Sequence, residues 1–214
     1  MARGLFISFE GGDGTGKTTQ IGELSRWLRE LGYTVVTSRE PGGTELGNQI
    51  RELLLHSGEV SERAEALLFA ADRAHHVATK IRPALERGEV VITDRYFDSS
   101  IAYQGAAREL DATQVKKLSL WATGNLVPRA TILLDAAVEE SAARVGGTKD
   151  RLEAEGVSFH QHVREKYLQL AAEEPERFHV VDAQGTISAI AHQIRQIVEP
   201  LLAEAELERG GVAR

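Results

Sequence analysis

Short runs of apolar, β-branched and aromatic residues alternate along this chain with longer segments whose apolar positions recur every three or four residues. Apolar runs of this length are typical of buried strands, and the longer periodic segments are typical of amphipathic helices. Alternation of the two along the chain predicts an α/β fold with a parallel sheet. The predicted strands are Leu5–Phe9, Thr34–Thr37, Val90–Thr93, Thr131–Leu134 and Phe178–Val181.

Two segments depart from simple alternation. Between the second and third strands the chain holds two helical patterns, around Leu46–Leu55 and Ala64–Glu86, and Pro83 is expected to kink or end the second. A crossover needs only one helix, so the extra material predicts a substrate-binding insertion. Residues 143–156 combine glycines with basic side chains, which favours a mobile lid, with an ordinary solvated loop as the alternative.

Length and charge limit the classes of protein that fit. The 214 residues predict one domain over residues 1–204, and the polar segment 205–214 is expected to fray. A formal net charge of −7 argues against a nucleic-acid-binding surface. The chain has no cysteine, which excludes disulfides and thiolate metal sites. No signal peptide and no apolar run of membrane-spanning length are apparent, so we expect a cytoplasmic protein without a membrane partner.

The first predicted strand leads directly into the sequence G-x-x-x-x-G-K-T, followed by an amphipathic helix. Such a loop curls so that its backbone N–H groups point at phosphate oxygens, while the lysine reaches the outer phosphates and the threonine hydroxyl binds Mg²⁺. The sequence therefore predicts binding of a nucleoside triphosphate with magnesium. The residues expected to contact ATP in this loop are Gly11, Gly12, Asp13, Gly14, Thr15, Gly16, Lys17 and Thr18.

Polar residues follow the next two strands at the sheet edge where open parallel sheets bind ligands. The segment that begins with Arg39 and Glu40 is a glycine-rich turn with a charged pair at its entrance. After the third strand, Asp94 is suited to orient Mg²⁺ or its water, and Arg95 is suited to bind a second phosphate group beside the loop. A surface ion pair between Asp94 and Arg95 is the alternative.

The insertion carries Phe69 and Arg73 four residues apart, on one face of a helix. An aromatic ring and a guanidinium at this spacing can stack on a flat base and hydrogen-bond its edge, although plain core packing explains Phe69 equally well. His75, His76 and the His160–His162 segment do not predict a metal site, because adjacent helical histidines diverge and no acidic cluster lies nearby.

Taken in order, these motifs resemble bacterial thymidylate kinases. The matching segments are F-E-G-G-D-G-T-G-K-T-T, R-E-P-G-G-T, D-R-Y with S-S and A-Y-Q-G after it, D-R-L-E in the lid and V-D-A after the fifth strand. The resemblance covers nearly the whole chain except the tail after residue 204. It implies a P-loop NTPase fold of the nucleoside monophosphate kinase type, with five parallel strands in the order 2-3-1-4-5, transfer of a phosphoryl group from MgATP to dTMP, and a homodimer.

The resemblance also implies which side chains contact dTMP. Arg95 would bind the phosphate of dTMP with help from Arg39. Phe69 would stack on thymine, and Arg73 would donate to thymine O4. Ser100 would lie near the base, and Tyr103 would pack under the deoxyribose. Asp13 is expected to approach the sugar 3′-hydroxyl or the acceptor phosphate and its metal. Lys17, Arg95, Arg151 and Asp13 are the expected catalytic residues.

Some relatives carry a catalytic arginine inside the phosphate loop, at the position of Gly14 here. Because this chain has glycine there, the lid must supply the cation that neutralises the negative charge of the transferring phosphoryl, as in the lid-arginine type of bacterial enzyme. The candidates are Arg151, Arg144 and Lys149, in that order, with Arg144 also expected to contact ATP.

Three alternative functions are considered for this sequence. A protein that binds ATP only for its structure is one, but it would leave an acceptor site beside the loop unexplained. Another mononucleotide kinase, acting on AMP, CMP or dUMP, would share the phosphate loop and the sheet. A GTPase-type switch would also share the loop, but it needs the guanine-binding sequence Asn-Lys-x-Asp, which does not occur in the chain.

Overall fold

The sheet is formed by five parallel strands in the order β2-β3-β1-β4-β5, which confirms the expected topology. The structure is a computed structural model that describes residues 4–106, 110–144, 146 and 150–211. All five predicted strands are present, with ends that shift by at most a residue or two. They are β1 Leu5–Glu10, β2 Val35–Arg39, β3 Val90–Asp94, β4 Ala130–Asp135 and β5 Phe178–Asp182.

Helices connect the strands and cover both faces of the sheet. The α-helices are α1 Lys17–Glu30, α2 Glu45–Leu55, α3 Glu62–His76, α4 Arg82–Glu86, α5 Phe97–Ser100, α6 Ala112–Thr123, α7 Val138–Ala142, α8 Val157–Glu173 and α9 Ile187–Gly211, with π-helical turns at Val77–Ile81 and Ile101–Ala106. The first π turn joins α3 to α4 and ends at Ile81, two residues before Pro83, which has no N–H to donate to the preceding turn. The insertion thus contains α2, α3 and α4.

Alternate residues of the central strand β1 enter different cores. Leu5, Ile7 and Phe9 pack with α1 and α9 on one face of the sheet. Phe6 packs on the other face with a cluster that includes Tyr167 of α8. Burial on both faces explains why the strands appear in the sequence as continuous apolar runs. This arrangement places the carboxyl ends of β1, β2, β3 and β4 at one edge, above which the candidate site lies.

The C-terminal segment and the lid can be compared with the sequence expectations. Helix α9 continues to Gly211, so its bounds include residues 205–211 of the expected tail. Residues 212–214 lie outside the described part of the chain. The expected lid lies between α7 and α8, and its Lys149 is also outside the described residues.

Within the described ranges, no helix has the length and apolar character to cross a bilayer.

Candidate active site

The phosphate loop leaves β1 at Glu10 and enters α1 at Lys17. Gly11, Gly14 and Gly16 all have positive φ angles, of 132°, 78° and 92°. A Cβ at Gly11 would lie 2.4 Å from the carbonyl oxygen of Leu134, so the loop also passes too close to β4 for any side chain. The glycines of the motif therefore give the loop both its curl and its position on the sheet.

Lys17 is buried at the mouth of this loop. Its Nζ donates to the carbonyl oxygens of Gly11 and Gly12, at 3.1 Å and 2.8 Å. Burial lowers the pKa of Lys17, and the neighbouring charge of Arg95 lowers it further, while Asp94 and Asp13 raise it. An ammonium group has three donors, so one remains for a phosphate oxygen once the loop carbonyls are bound.

Thr18 and Asp94 meet beside the loop. The Thr18 hydroxyl donates to Asp94 Oδ2 at 3.4 Å. A hydroxyl and a carboxylate are the oxygen donors that Mg²⁺ prefers, and magnesium usually takes few protein ligands and completes its shell with phosphate and water. Among the described residues no cluster of three or more His, Cys, Asp or Glu could hold a metal. The pair fits a magnesium ion that arrives with a nucleotide.

Arg95 lies between the phosphate loop and a neighbouring pocket. It has a φ of 66°, which directs it away from the line of β3, and its N–H donates to Phe9 O at 2.8 Å. The left-handed conformation costs a non-glycine residue about 1–2 kcal/mol. Its guanidinium donates to Asp13 Oδ1 at 2.6 Å and to the hydroxyl of Tyr103 at 3.1 Å. Asp94 and Arg95 therefore have separate partners at the site instead of forming a surface pair.

The side chain of Asp13 belongs to the loop and faces Arg95. Burial acts to raise its pKa, but the charges of Arg95 and Lys17 outweigh burial and lower the pKa to about 2. Asp13 is consequently a carboxylate throughout the physiological pH range. A carboxylate at this position can accept a hydrogen bond from a hydroxyl or help to bind a metal.

Glu10, at the end of β1, is a site residue that the sequence reasoning missed. It is fully buried, and its Oε2 accepts hydrogen bonds from the hydroxyls of Ser99 and Tyr167, at 2.6 Å and 2.8 Å. The two hydroxyls also share a hydrogen bond of 2.8 Å with each other, and both oxygens accept from Arg95 Nη1 at 3.3 Å. Burial and repulsion from Asp98 raise the pKa of Glu10 to about 7. A charged residue closing an apolar strand was the signal available in the sequence.

A cavity beside Arg95 contains most of the predicted dTMP residues and is called the base pocket below. Phe69, Arg73, Ser100 and Tyr103 line it together with Arg95. The structure adds other lining residues that were not predicted. These are Glu40, Pro41, Arg51, Leu55, Tyr96, Ser99, Gln104, Asp150, Leu152 and Glu153.

Arg73 is held rigidly at the back of the base pocket. Its Nε donates to Glu40 Oε2 at 2.7 Å, and its Nη1 donates to the hydroxyls of Ser100 and Ser119, at 3.1 Å and 3.3 Å. The other Glu40 oxygen bonds to His76 Nδ1 at 2.9 Å. Glu40 is thus the partner of Arg73 and His76, whereas the sequence placed it in a pair with Arg39.

Two arginines near the mouth of the base pocket differ in position. Arg39, predicted to help with the phosphate, is exposed and does not line the pocket. Arg51 of α2 does line it, and its Nη1 donates to Pro41 O at 3.0 Å. Arg51 is the one basic residue of α2, and its charge was the signal available in the sequence.

The lid reaches the base pocket through residues 150–153, called the lid turn below. Asp150 Oδ1 accepts hydrogen bonds from the N–H groups of Leu152 and Glu153, both at 2.9 Å, which closes the turn. Arg151 points towards α2 and α3: its Nε donates to Leu54 O at 2.9 Å and its Nη2 to Glu65 Oε2. Arg144 is exposed and donates to Ala183 O at 3.2 Å. Neither arginine contacts the phosphate loop in this arrangement.

A second cavity lies on the other side of the phosphate loop, between the end of β4 and helices α7 and α8. It shares Asp13 and Glu153 with the base pocket. Arg164 and Asp135 form a two-pronged ion pair in its wall, at 2.7 Å and 2.8 Å. The phosphate loop therefore has open space on both flanks, with Asp13 between them.

Comparison with known proteins identifies the family. The model of the family described as Thymidylate kinase matches residues 9–194. The chain belongs to the thymidylate kinase family. It is 61% identical over 196 residues to the thymidylate kinase of Leifsonia xyli subsp. xyli, covering 90% of this chain and 93% of that protein. It is 56% identical over 206 residues to that of Clavibacter sepedonicus, covering 94% and 97%. The thymidylate kinase of Bifidobacterium longum subsp. infantis is 54% identical over 204 residues, covering 93% and 88%.

Proposed function

We propose that this member of the thymidylate kinase family transfers the γ-phosphoryl group of MgATP to dTMP, giving dTDP and ADP. The observation that carries the proposal is the position of Arg95. Its guanidinium bonds Asp13 of the phosphate loop and at the same time lines the base pocket, so donor and acceptor phosphates would meet at one point. Phosphoryl transfer requires this in-line placement and little covalent chemistry from the protein.

On the donor side, the loop from Gly11 to Thr18 binds the ATP phosphates through its N–H groups, and Lys17 neutralises the outer phosphates. Thr18 and Asp94 would hold the magnesium ion, which supplies charge neutralisation at the ATP phosphates. Asp13, as a carboxylate, would accept a hydrogen bond from the sugar 3′-hydroxyl of dTMP or would help to hold a metal at the acceptor phosphate.

On the acceptor side, Arg95 binds the phosphate of dTMP, and we add Arg51 as a second cation, since it lines the pocket from α2. Exposed Arg39 would serve at the entrance. Phe69 stacks on thymine, and Tyr103 packs under the deoxyribose, where its ring leaves little room for a 2′-hydroxyl. Ser100 contacts the base region beside Arg73.

Arg73 carries the selection of thymine over cytosine. Its Nε and Nη1 protons are committed to Glu40 and to two serine hydroxyls, and its Nη2 donates to Tyr96 O at 3.2 Å with a second proton remaining. This remaining N–H can donate to thymine O4, whereas the amino group of cytosine is itself a donor and cannot accept from it. A site that leaves a buried polar group unpaired with the wrong base discriminates strongly.

The lid supplies the remaining positive charge. Arg151 can act on the transferring phosphoryl only after leaving Glu65, whereas Arg144 needs to release a single hydrogen bond to Ala183 O. Both stay candidates, with Lys149 beside them in sequence. The charge of a lid cation is needed chiefly in the transition state, so its loss should lower kcat more than substrate affinity.

A nucleotide panel tests the function. ADP release is measured with ATP, Mg²⁺ and each of dTMP, dUMP, dCMP and AMP, and dTMP should have a kcat/KM at least about 10²-fold above dCMP and AMP. A preference for AMP or CMP would favour another mononucleotide kinase and overturn the proposal. ATP hydrolysis unaffected by any acceptor would favour a P-loop protein of another class.

We also propose a homodimer that acts in the cytoplasm, where ATP and dTMP are available. A groove between α3 and α6 presents apolar side chains, including those of Leu118 and of Leu67, a residue that is 58% exposed. Exposed apolar surface of this kind is typical of contact surfaces. Light scattering should give twice the chain mass for the native protein and a shift towards the single-chain mass for Leu67→Glu. A monomeric native protein would contradict the dimer.

A further inference from the structure

Glu65 of α3 is a fully buried carboxylate whose two oxygens bond to different parts of the site. Its Oε1 accepts from Gln104 Nε2 at 2.9 Å, and Gln104 lines the base pocket. Its Oε2 accepts from Arg151 Nη2 in the lid turn. These partners lie 39 and 86 residues away along the chain, so one side chain joins the pocket wall to the lid.

The lid turn is docked by more than this ion pair. Arg151 also donates through its N–H to Leu55 O at 3.3 Å and through its Nε to Leu54 O at 2.9 Å, at the end of α2. Leu152 is buried in a small apolar cluster with Phe69. Glu65 therefore completes a contact that seats the lid turn on the same helices that form the base pocket.

The chemistry of the carboxylate also fixes the orientation of Gln104. A carboxylate has no proton to donate, so only the NH₂ end of the Gln104 amide can bond to it. The carbonyl end is then the end that Glu65 leaves for a ligand. A glutamine at position 65 could bond either end of that amide and would present a donor to one of its two partners.

We propose that Glu65 is a positioning residue that couples closure of the lid turn to recognition of the base. It holds Gln104 in one orientation and Arg151 against α2 and α3, so the lid turn and the pocket wall are fixed by the same group. The inference rests on the proposed function, because it takes the pocket to be the site of the dTMP base. Any later movement of Arg151 to the phosphoryl would break this contact.

The test compares Glu65→Gln and Glu65→Asp with Glu62→Gln, which changes an exposed residue on the first turn of the same helix. Hydrogen exchange is measured on residues 150–156 without nucleotide and with dTMP, together with steady-state kinetics. Glu65→Gln should raise exchange of the lid turn at least about fivefold without nucleotide, while the strands keep wild-type protection. KM for dTMP should rise about tenfold and kcat change less than about threefold.

Unchanged exchange in the lid turn with both Glu65 variants would overturn the proposal, as would a fall in kcat with KM unaltered. If Glu65→Gln fails to fold, Glu65→Asp keeps the charge but is one methylene shorter and should show the same loss of lid protection. Hydrogen exchange of the lid turn without nucleotide measures how Glu65 holds this turn and does not depend on catalysis. Failure of the wild-type chain to phosphorylate dTMP would instead contradict the proposed function, so the two failures are distinguishable.

Discussion

Arg95 and Asp13 form an ion pair of 2.6 Å that joins the base pocket to the phosphate loop. The arginine comes from the residue after β3 and the aspartate from the loop after β1, neighbouring strands of the sheet. Tyr103 adds a hydroxyl contact and its ring, which lies 4.9 Å from the guanidinium carbon. The guanidinium is therefore fixed at the boundary between two binding sites, where an acceptor phosphate would lie.

Replacing Arg95 by alanine should damage use of the acceptor far more than binding of the donor. Loss of a positioned guanidinium should lower kcat/KM for dTMP about 10³-fold, while ATP affinity changes less than about threefold. Kinetics with varied dTMP and calorimetric titration of ATP measure the two effects. Arg95→Lys keeps the positive charge without the planar guanidinium, so its kcat/KM for dTMP should lie between those of the wild type and Arg95→Ala. Arg26→Ala, on the surface of α1, is the control. Equal losses for both substrates would show that Arg95 does not define the acceptor site.

Glu10 should make stability depend on pH. Because burial and Asp98 raise its pKa from 4.5 to about 7, the folded state binds a proton more tightly than the unfolded state between these values. The free energy of unfolding should then fall as pH rises from about 4.5 to 7, by a contribution on the order of 3 kcal/mol.

Glu10→Gln should remove this contribution and leave a flatter dependence. Urea unfolding at several pH values between 5 and 8 measures it, with the exposed Glu59→Gln as the control variant. Wild-type and Glu10→Gln curves that stay parallel across this range would contradict the raised pKa.

Arg73→Lys should weaken selection of thymine. Lysine keeps the positive charge but cannot bond Glu40, Ser100 and Ser119 in the planar arrangement of a guanidinium. The ratio of kcat/KM for dTMP to that for dCMP should fall about 10²-fold. Arg82→Lys provides a matched control, since Arg82 donates to Thr123 O away from the pocket. A preserved ratio with normal folding would remove Arg73 from base recognition.

Thr18→Ala should raise the magnesium concentration needed for half-maximal activity by about tenfold, because one of two proposed protein oxygens near the ion is lost. The neighbouring Thr19→Ala, also on the exposed first turn of α1, should leave the requirement unchanged. Activity measured against Mg²⁺ at fixed ATP compares the variants. An equal requirement in both would place the ion elsewhere.

The lid arginines can be separated by single substitution. We expect alanine at whichever of Arg144 and Arg151 reaches the phosphoryl to lower kcat about 10²-fold, with ATP still bound. Single-turnover measurements on both variants identify that residue. If neither substitution lowers kcat, the described part of the lid does not supply the charge.

Much of the fold and part of the site followed from local sequence. The phosphate loop was predictable because its glycines, lysine and threonine are adjacent and their spacing itself sets the geometry. The strands were predictable because burial on both faces makes them apolar throughout. The role of Glu40 was not, since its partners Arg73 and His76 lie 33 and 36 residues away.

The sequence by itself determined the nucleotide-binding loop, the alternation of strands and helices and, through the resemblance, the family and strand order. Only the tertiary structure decided which buried carboxylates serve the site. Glu10 holds the hydroxyls that accept from Arg95, Glu40 holds Arg73, and Glu65 joins Gln104 to Arg151. The reason is physical: a buried charge must find its partner in space, and each of these partners is brought close by packing of the sheet and helices rather than by spacing along the chain.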